Sequence, residues 1–216
     1  GITILAPQSS PNTDGTDFAN CSFVHVHGNH IANGDDEVAI EAGSHDILVE
    51  RNYFATGHGA SIGSIGENNS SGHVWNVMFR DNVFNGTSNA ARIKTWQGGT
   101  GSVQNITYRN LTFIDVGLPV LLTQYYCPHS QHPGDCKNYT AAVEISDVTL
   151  EGLRGTQTGG DAGQLLCSDS IPCRGVTLAD IDIAASSTGG RNEWRCWQAH
   201  GSAERVSPPL GDCLSA

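Results

Sequence analysis

The segment Asn105-Ile-Thr-Tyr-Arg109 decides the fold, because close copies of it recur along the chain. Each copy is a short, apolar-rich run of the kind that forms a β-strand. The other copies are Ser22-Phe-Val-His-Val26, Asp46-Ile-Leu-Val-Glu50, Asn76-Val-Met-Phe-Arg80, Asp147-Val-Thr-Leu-Glu151 and Gly175-Val-Thr-Leu-Ala179. Their apolar second positions, 23, 47, 77, 106, 148 and 176, are separated by 24, 30, 29, 42 and 28 residues, which is solenoid spacing.

A second apolar segment follows a turn in several of these units. The segments are Val38-Ala-Ile40, Ala60-Ser-Ile62, Ala91-Arg-Ile93 and Val120-Leu-Leu122. Neither strand of a unit can bury its apolar face alone, but stacked units form one column of core. We therefore predict an all-β protein, a right-handed, single-stranded parallel β-helix, with one domain over residues 1–216. An antiparallel sandwich is the alternative, and the scarcity of hairpin turns disfavours it.

Composition narrows the partners and the cellular compartment. The 22 acidic and 11 basic side chains give a net charge of −11, which argues against nucleic acid or an anionic membrane as the general partner. No apolar run approaches the ~20 residues of a membrane span. Seven cysteines and seven Asn-x-Ser/Thr sequons indicate a secreted, extracellular protein. We expect a monomer.

Cysteine spacing predicts local disulfides. The close pairs are Cys127 with Cys136, Cys167 with Cys173, and Cys196 with Cys213, which leaves Cys21 unpaired. The first pair would close an inserted loop on one wall of the solenoid. No CxxC pair or HExxH motif is present, so no metal and no cofactor is predicted.

Three carboxylates recur in the repeating frame and are candidate catalytic groups. Asp14 lies in one unit, and Asp35 and Asp36 lie about one coil later. Clustered carboxylates repel, so at least one pKa should rise, and glycoside hydrolysis needs one protonated and one ionised carboxyl. The alternative is that Asp14-Gly15 and Gly34-Asp35 are ordinary turn dipeptides.

Two further motifs follow at similar intervals. His58 stands between two glycines, and glycine allows a ligand to approach the backbone closely. Arg92 and Lys94 are two residues apart, so a strand presents both cations on one face, where they could bind a carboxylate. The spacing of all these positions, about one coil each, predicts that they line one groove.

The motifs together resemble those of a known family. Asn12-Thr-Asp-Gly15, Gly34-Asp-Asp36, Gly57-His-Gly59 and Arg92-Ile-Lys94 are similar to the four signature motifs of the polygalacturonases, glycoside hydrolase family 28. The resemblance runs from about Pro11 to Cys213. It implies a parallel β-helix that hydrolyses α-1,4 links of galacturonic acid, in pectin or polygalacturonate, with inversion.

The resemblance also implies a role for each site residue. Asp35 is then the general acid, Asp14 and Asp36 activate water, and His58 tunes the acid. Arg92 and Lys94 hold the substrate carboxylate. Asn12 is a further substrate-binding residue, and Tyr126 resembles a subsite tyrosine, with Tyr125 as its rival for that role.

The chain departs from the family pattern in two respects. Many members carry a cysteine bridge at the positions of Glu37 and Phe54, which suggests a lost disulfide. Glu37 could raise the pKa of an acid in the site, or it could point away. Strand alternation would separate Asp35 from Asp36 unless Gly34 allows a bulge. The family also has further coils upstream, so this chain is predicted to be a C-terminal catalytic portion lacking N-terminal coils.

Competing functions remain open at this point. The same scaffold could act on decorated pectin, either rhamnogalacturonan or xylogalacturonan, although the Arg92 and Lys94 pair disfavours the former. A truncated, non-catalytic pectin-binding β-helix is a second alternative, and a β-helix lyase, which would use Ca²⁺, is a third. The sequence does not distinguish endo from exo cleavage.

Overall fold

A computed structural model describes residues 1–128 and 137–214. Apart from one turn of 3-10 helix, Glu67–Asn69, its regular structure is β. Within the described ranges, no helix is long and apolar enough to cross a membrane.

The strands stack in three sheets that run along the molecule. Sheet 1 contains β2 (Asp17–Phe18), β5 (Val38–Ile40), β8 (Ala60–Ile65), β11 (Asn89–Trp96), β14 (Leu118–Tyr126), β17 (Asp161–Leu166) and β19 (Glu193–Trp197). Sheet 2 contains β3 (Ser22–His27), β6 (Ser44–Glu50), β9 (Ser71–Arg80), β12 (Thr100–Arg109), β15 (Glu144–Glu151), β18 (Cys173–Ala185) and β20 (Ala199–Ser207). Sheet 3 contains β1 (Thr3–Leu5), β4 (His30–Ala32), β7 (Tyr53–Ala55), β10 (Val83–Asn85), β13 (Thr112–Val116) and β16 (Arg154–Gln157).

The chain visits sheets 2, 3 and 1 in turn, and each visit places a strand beside its equivalent in the next coil. Every strand pair is parallel. The long strand β18 joins two sheets, since its first half pairs with β15 and its second half with β16. The predicted parallel β-helix is confirmed, and the antiparallel sandwich is wrong.

The apolar segments predicted from the sequence form the core of sheet 1. Ile40, Ile62, Ile93 and Leu122 are direct neighbours in successive strands, and all have no solvent exposure. Burying each such side chain contributes about 1.5–3 kcal/mol relative to exposure. The residues next to these along each strand, such as Ser61 beside Ile62 and Arg92 beside Ile93, therefore point to the outer face of the sheet.

The predicted register of the first coil is wrong by one residue. The structure pairs Val24, not Phe23, with Ile47, and the Phe23 side chain is 82% exposed. In the other copies a left-handed residue precedes the apolar position, for example Asp46 and Asn105 at φ of 54° and 53°. Phe23 takes that conformation at φ 57°. Asp and Asn adopt it readily, whereas a bulky residue does so rarely, so the sequence pattern hid the equivalence.

Two of the predicted disulfides are present. Cys167 bonds Cys173, with Cα atoms 5.6 Å apart, and Cys196 bonds Cys213, with Cα atoms 5.2 Å apart. Cys21 forms no disulfide with any described residue, as predicted. The predicted partner of Cys127 lies outside the described residues.

Candidate active site

The predicted site residues converge on the outer face of sheet 1. In adjacent strands of this sheet, Asp17, Ala39, Ser61 and Arg92 are consecutive neighbours. Because neighbouring strands are ~4.8 Å apart, this stacking brings residues distant in sequence into one site. The turns that lead into β2, β5 and β8 add Asp14, the Asp35–Asp36 pair and His58, respectively.

The two adjacent aspartates lie in a bend that precedes β5, so strand alternation does not separate them. Gly34 makes this bend possible, because a Cβ there would lie 2.1 Å from the carbonyl oxygen of Ser10. The backbone N–H of Asp36 donates to Oδ1 of Asp35 over 2.9 Å. Nδ1 of His58 lies 2.9 Å from the same oxygen. Asp35 and His58 thus form a contact pair, as the acid and its tuning residue would.

Asp36 is an almost fully buried carboxylate with charged partners on both oxygens. Arg92 NH1 lies 2.9 Å from Oδ1, and Lys94 Nζ lies 2.6 Å from Oδ2. Ser61 also donates to Oδ1 over 2.8 Å. Each oxygen of this buried carboxylate therefore lies within contact distance of a cationic side chain. The two cations that the sequence assigned to a substrate carboxylate therefore also neutralise a carboxylate of the protein.

Of the two candidate tyrosines, Tyr126 lies at the site. Its ring centroid is 5.8 Å from the guanidinium carbon of Arg92 and 5.4 Å from Nζ of Lys94, within cation–π range. Trp96 packs against this ring in a T-shaped, edge-to-face contact, with ring centroids 5.3 Å apart. The hydroxyl of Tyr125 instead donates to the carbonyl oxygen of Cys167.

Asp14 carries a strongly perturbed carboxyl. Partial burial raises its pKa to about 7, and the neighbouring charges of Asp35, Asp17 and Asp36 add to the shift. Burial likewise raises the pKa of Asp17. Asp17 and Ser61 are site residues that sequence reasoning missed. Their signal was register, since both are aligned with Arg92 across sheet 1.

The remaining predicted residue, Asn12, is exposed in a turn, with φ of 51°. The next residue connects this turn to the aspartate bend, because the N–H of Gly34 donates to Oγ1 of Thr13 over 3.0 Å. Asn12 therefore lies at the margin of the site rather than among the carboxylates.

Glu37 points away from the carboxylates and into the protein. Its residue has no solvent exposure, and its two carboxylate oxygens accept the N–H groups of Gly57 and Gly59 over 3.1 Å and 2.5 Å. Burial raises its pKa to about 8, against the opposing effect of the backbone donors. Sequence reasoning identified Glu37 as a departure but missed this contact.

One group of described residues has the donor atoms of a metal site. Ligand atoms of Asp35, Asp36 and His58 all lie within 4.8 Å of one another. The Asp36 carboxylate is already matched by Arg92 and Lys94, so ion pairing accounts for it without a metal. The absence of a metal remains a prediction.

Comparison with known proteins places this geometry in a family. Residues 1–206 match the sequence model described as "Glycosyl hydrolases family 28". A probable polygalacturonase of Arabidopsis thaliana is 38% identical over 216 residues, which cover 100% of this chain and 48% of that protein. A polygalacturonase of Cryptomeria japonica is 45% identical over 188 residues, which cover 87% of this chain and 36% of the relative. The chain thus spans half or less of the length of these relatives.

Solved structures show the same fold. The polygalacturonase of Erwinia carotovora ssp. carotovora superposes with a TM-score of 0.73 at 26% identity, covering 94% of this chain and 49% of the other. The endo-xylogalacturonan hydrolase of Aspergillus tubingensis gives 0.76 at 21% identity, covering 90% and 53%. The family match over nearly the whole chain and the confirmed β-helix lead to one conclusion: the chain belongs to glycosyl hydrolases family 28.

Proposed function

We propose that this chain carries the catalytic centre of a polygalacturonase, which hydrolyses α-1,4-galacturonosyl linkages of pectic polysaccharide with inversion. The observation that carries the proposal is that three clustered carboxyls occupy different environments. Asp36 is matched by two cations, Asp35 contacts His58, and Asp14 has a pKa raised to about 7. Glycoside hydrolysis requires carboxyls in unlike environments, one to donate a proton to the leaving oxygen and one to activate water.

In the proposed mechanism, Asp35 donates its proton to the leaving glycosidic oxygen. His58, bonded to Oδ1 of Asp35, orients that carboxyl. Asp14 and Asp36 hold a water molecule on the opposite side of the sugar ring and take its proton as it attacks the anomeric carbon. The products are two shorter saturated chains, the new reducing end having the inverted configuration.

The cations and Tyr126 are proposed to recognise the uronate. Arg92 has several N–H donors and uses NH1 for Asp36, so others remain for a substrate carboxylate. Tyr126 provides a ring beside both cations, and the exposed Asn12 is proposed as a further substrate contact. In a chain with a net charge of −11, two adjacent cations on the outer face of sheet 1 offer a counter-charge to a substrate carboxylate at this place.

Asp14 is a second candidate for the acid, because its raised pKa keeps it protonated at mildly acidic pH. The leaving group separates the two assignments. A galacturonosyl fluoride needs no acid to expel fluoride, so loss of the acid slows it far less than it slows polygalacturonate.

The test measures reducing-sugar release from polygalacturonate and fluoride release from galacturonosyl fluoride. We expect Asp35→Asn to lose about 10²–10⁴-fold on the polymer and to retain most of its activity on the fluoride. Asp14→Asn should lose both activities, and Asp182→Asn, an exposed change on β18, should lose neither. The reverse pattern would exchange the roles, and unimpaired Asp35→Asn on both substrates would refute the mechanism.

The competing functions predict other products. The sequence relatives are named polygalacturonases, which does not favour a decorated-pectin substrate, and the likeness to the xylogalacturonan hydrolase shows the fold alone. Binding without reducing-end release would support a non-catalytic protein. Unsaturated, chelator-sensitive products would support a lyase. The sizes of the products distinguish endo from exo cleavage.

A separate observation concerns the compartment. The two disulfides support a secreted protein, because disulfides persist in oxidising environments.

A further inference from the structure

We infer that Glu37 is a positioning residue, whose buried carboxylate fixes the Gly57–Gly59 turn and so holds His58 against Asp35. Its kinetic consequences rest on the proposed function. The contacts behind the inference do not rest on that function, because they concern only how the Gly57–Gly59 turn is held by the segment Asp35–Glu37.

Three consecutive N–H groups of the turn donate to one short segment. The N–H of Gly57 donates to Oε1 of Glu37, and the N–H of Gly59 donates to Oε2. Between them, the N–H of His58 donates to the carbonyl oxygen of Asp35 over 2.8 Å. In return, the N–H of Glu37 donates to the carbonyl oxygen of Gly59 over 3.0 Å. These four bonds fix the backbone on both sides of the imidazole.

The turn has no room to satisfy these groups in another way. A Cβ at Gly57 would lie 2.2 Å from Oδ1 of Asn33 and 2.3 Å from the carbonyl oxygen of Asp35. Gly59 has φ of +97°, and a Cβ there would lie 2.6 Å from the carbonyl oxygen of Asn89. The surrounding backbone is packed against the turn, so two buried N–H groups depend on the side chain at position 37. A buried donor left without an acceptor is unfavourable, so a change of that side chain is expected to displace the turn.

Only a carboxyl group fits both donors, because each of its oxygens keeps a lone pair whether the group is protonated or ionised. The two oxygens of Glu37 each accept one N–H, whereas a glutamine would turn its own NH₂ toward one of them. Glu37→Gln is therefore nearly isosteric, but it leaves one N–H donor of the turn facing the NH₂ group of the glutamine. Because His58 lies between the two glycines, any displacement of the turn moves its ring relative to Asp35.

Glu50 is a matched control. It is also buried, at 2% exposure, but it is bound by the side chains of Arg80 and His25 in sheet 2. Glu50→Gln removes a buried carboxylate of the same size at a place that does not contact His58. An effect of general stability should appear in both variants, and an effect of positioning only in the Glu37 variant.

The test is kinetic. For Glu37→Gln we expect kcat on polygalacturonate to fall about 10–100-fold, as small misplacements of catalytic groups do, with KM unchanged within about twofold. Glu50→Gln should keep kcat. In a His58→Ala background, Glu37→Gln should cause no further loss, because its effect passes through His58. Equal losses in both backgrounds, or an unchanged kcat in folded Glu37→Gln, would overturn the inference.

A second measurement is independent of activity. The imidazole NMR resonances of His58, assigned by their absence in His58→Ala, should shift in Glu37→Gln and stay in place in Glu50→Gln. If Glu37→Gln does not fold, Glu37→Asp, which is too short to reach both donors, replaces it. A wild-type chain that does not hydrolyse polygalacturonate would refute the proposed function, while the NMR shift would still decide the positioning role; unmoved resonances would refute it.

Discussion

Asp36 and Glu37 are adjacent in the chain and both are buried, yet the protein satisfies their carboxylates in different ways. Asp36 faces the outer side of sheet 1, where its partners are the charged side chains of Arg92 and Lys94, two coils away. Glu37 faces the interior, where its partners are the neutral backbone donors of Gly57 and Gly59, one coil away.

The difference separates two uses of a buried carboxylate. The cations that pair with Asp36 stand at the ends of long side chains, which a ligand can also contact. Backbone amides hold the carboxylate of Glu37 rigidly without supplying a compensating charge, and burial then raises the pKa of Glu37 to about 8. Of these neighbouring residues, Asp36 is proposed to act in the chemistry and Glu37 to position the turn that carries His58.

Asp36→Asn is expected to have the largest effect of the variants that test this difference between Asp36 and Glu37. It removes the anion proposed to activate water and leaves Arg92 and Lys94 facing a neutral amide. We expect kcat/KM on polygalacturonate to fall about 10³-fold, more than for Glu37→Gln, because a general base contributes roughly 10²–10⁴-fold. Reducing-sugar assays measure both variants. A loss in Asp36→Asn no larger than that in Glu37→Gln would contradict the division of roles.

Removing one cation tests the ion pair itself. Lys94→Met keeps the length of the side chain but leaves Asp36 with Arg92 and Ser61 as partners. We expect the free energy of unfolding to fall by about 3 kcal/mol, the lower end of the range for breaking a buried pair. Urea denaturation measures it.

Arg109→Met is the control for that change. It breaks an exposed pair with Glu151, whose atoms are 2.8 Å apart and whose side chains are 44% and 39% exposed. That pair should contribute less than about 1 kcal/mol. Equal destabilisation by both variants would show that Asp36 does not depend on its buried cation.

Much of this architecture was predictable, because it rests on periodicity. The apolar columns of a stacked sheet repeat in sequence, so the segments ending at Ile62 and Ile93 predicted sheet 1 and its register. The motifs containing Asp35, His58 and Arg92 sit at fixed places in that repeat, so the structure brings them together as expected. The roles of these residues remain a proposal, as does the extent of the single domain.

The rest depends on contacts that no local pattern encodes. The attachment of Asp36 to Lys94 joins residues 58 positions apart, and only the three-dimensional register shows it. The direction of Glu37 follows from backbone donors in the next coil, which carry no side-chain signature. The register predicted for Phe23 was wrong because this bulky residue occupies a left-handed position. The first contact depends on how the strands of sheet 1 are aligned, and the other two depend on backbone conformation and backbone donors.

A smaller effect is expected from the neutral partner of Asp36. Ser61→Ala removes one hydrogen bond to the carboxylate and leaves both cations. A hydrogen bond to a charged group contributes about 1.5–3 kcal/mol, and we expect the lower value because Arg92 shares the same oxygen. Urea denaturation should show less destabilisation than for Lys94→Met. The control Ser102→Ala, at an exposed contact with His73, should be neutral; a neutral Ser61→Ala would show that the cations alone satisfy Asp36.

The smallest effect should come from the pH dependence of stability through Asp14, which has neither the cations of Asp36 nor the amides of Glu37. Its folded-state pKa, about 7, exceeds the ordinary value of 3.8, so the folded protein binds more protons than the unfolded chain between these values. Its stabilising contribution is then complete below pH 3.8 and lost as pH rises through about 7. Urea denaturation between pH 4.5 and 7.5 should therefore show that the free energy of unfolding of wild type falls relative to that of Asp14→Asn as pH rises. We expect this fall to be less than about 1 kcal/mol, given the partial exposure of Asp14. Parallel profiles for the two proteins would show that Asp14 does not take up a proton in the folded state over this pH range.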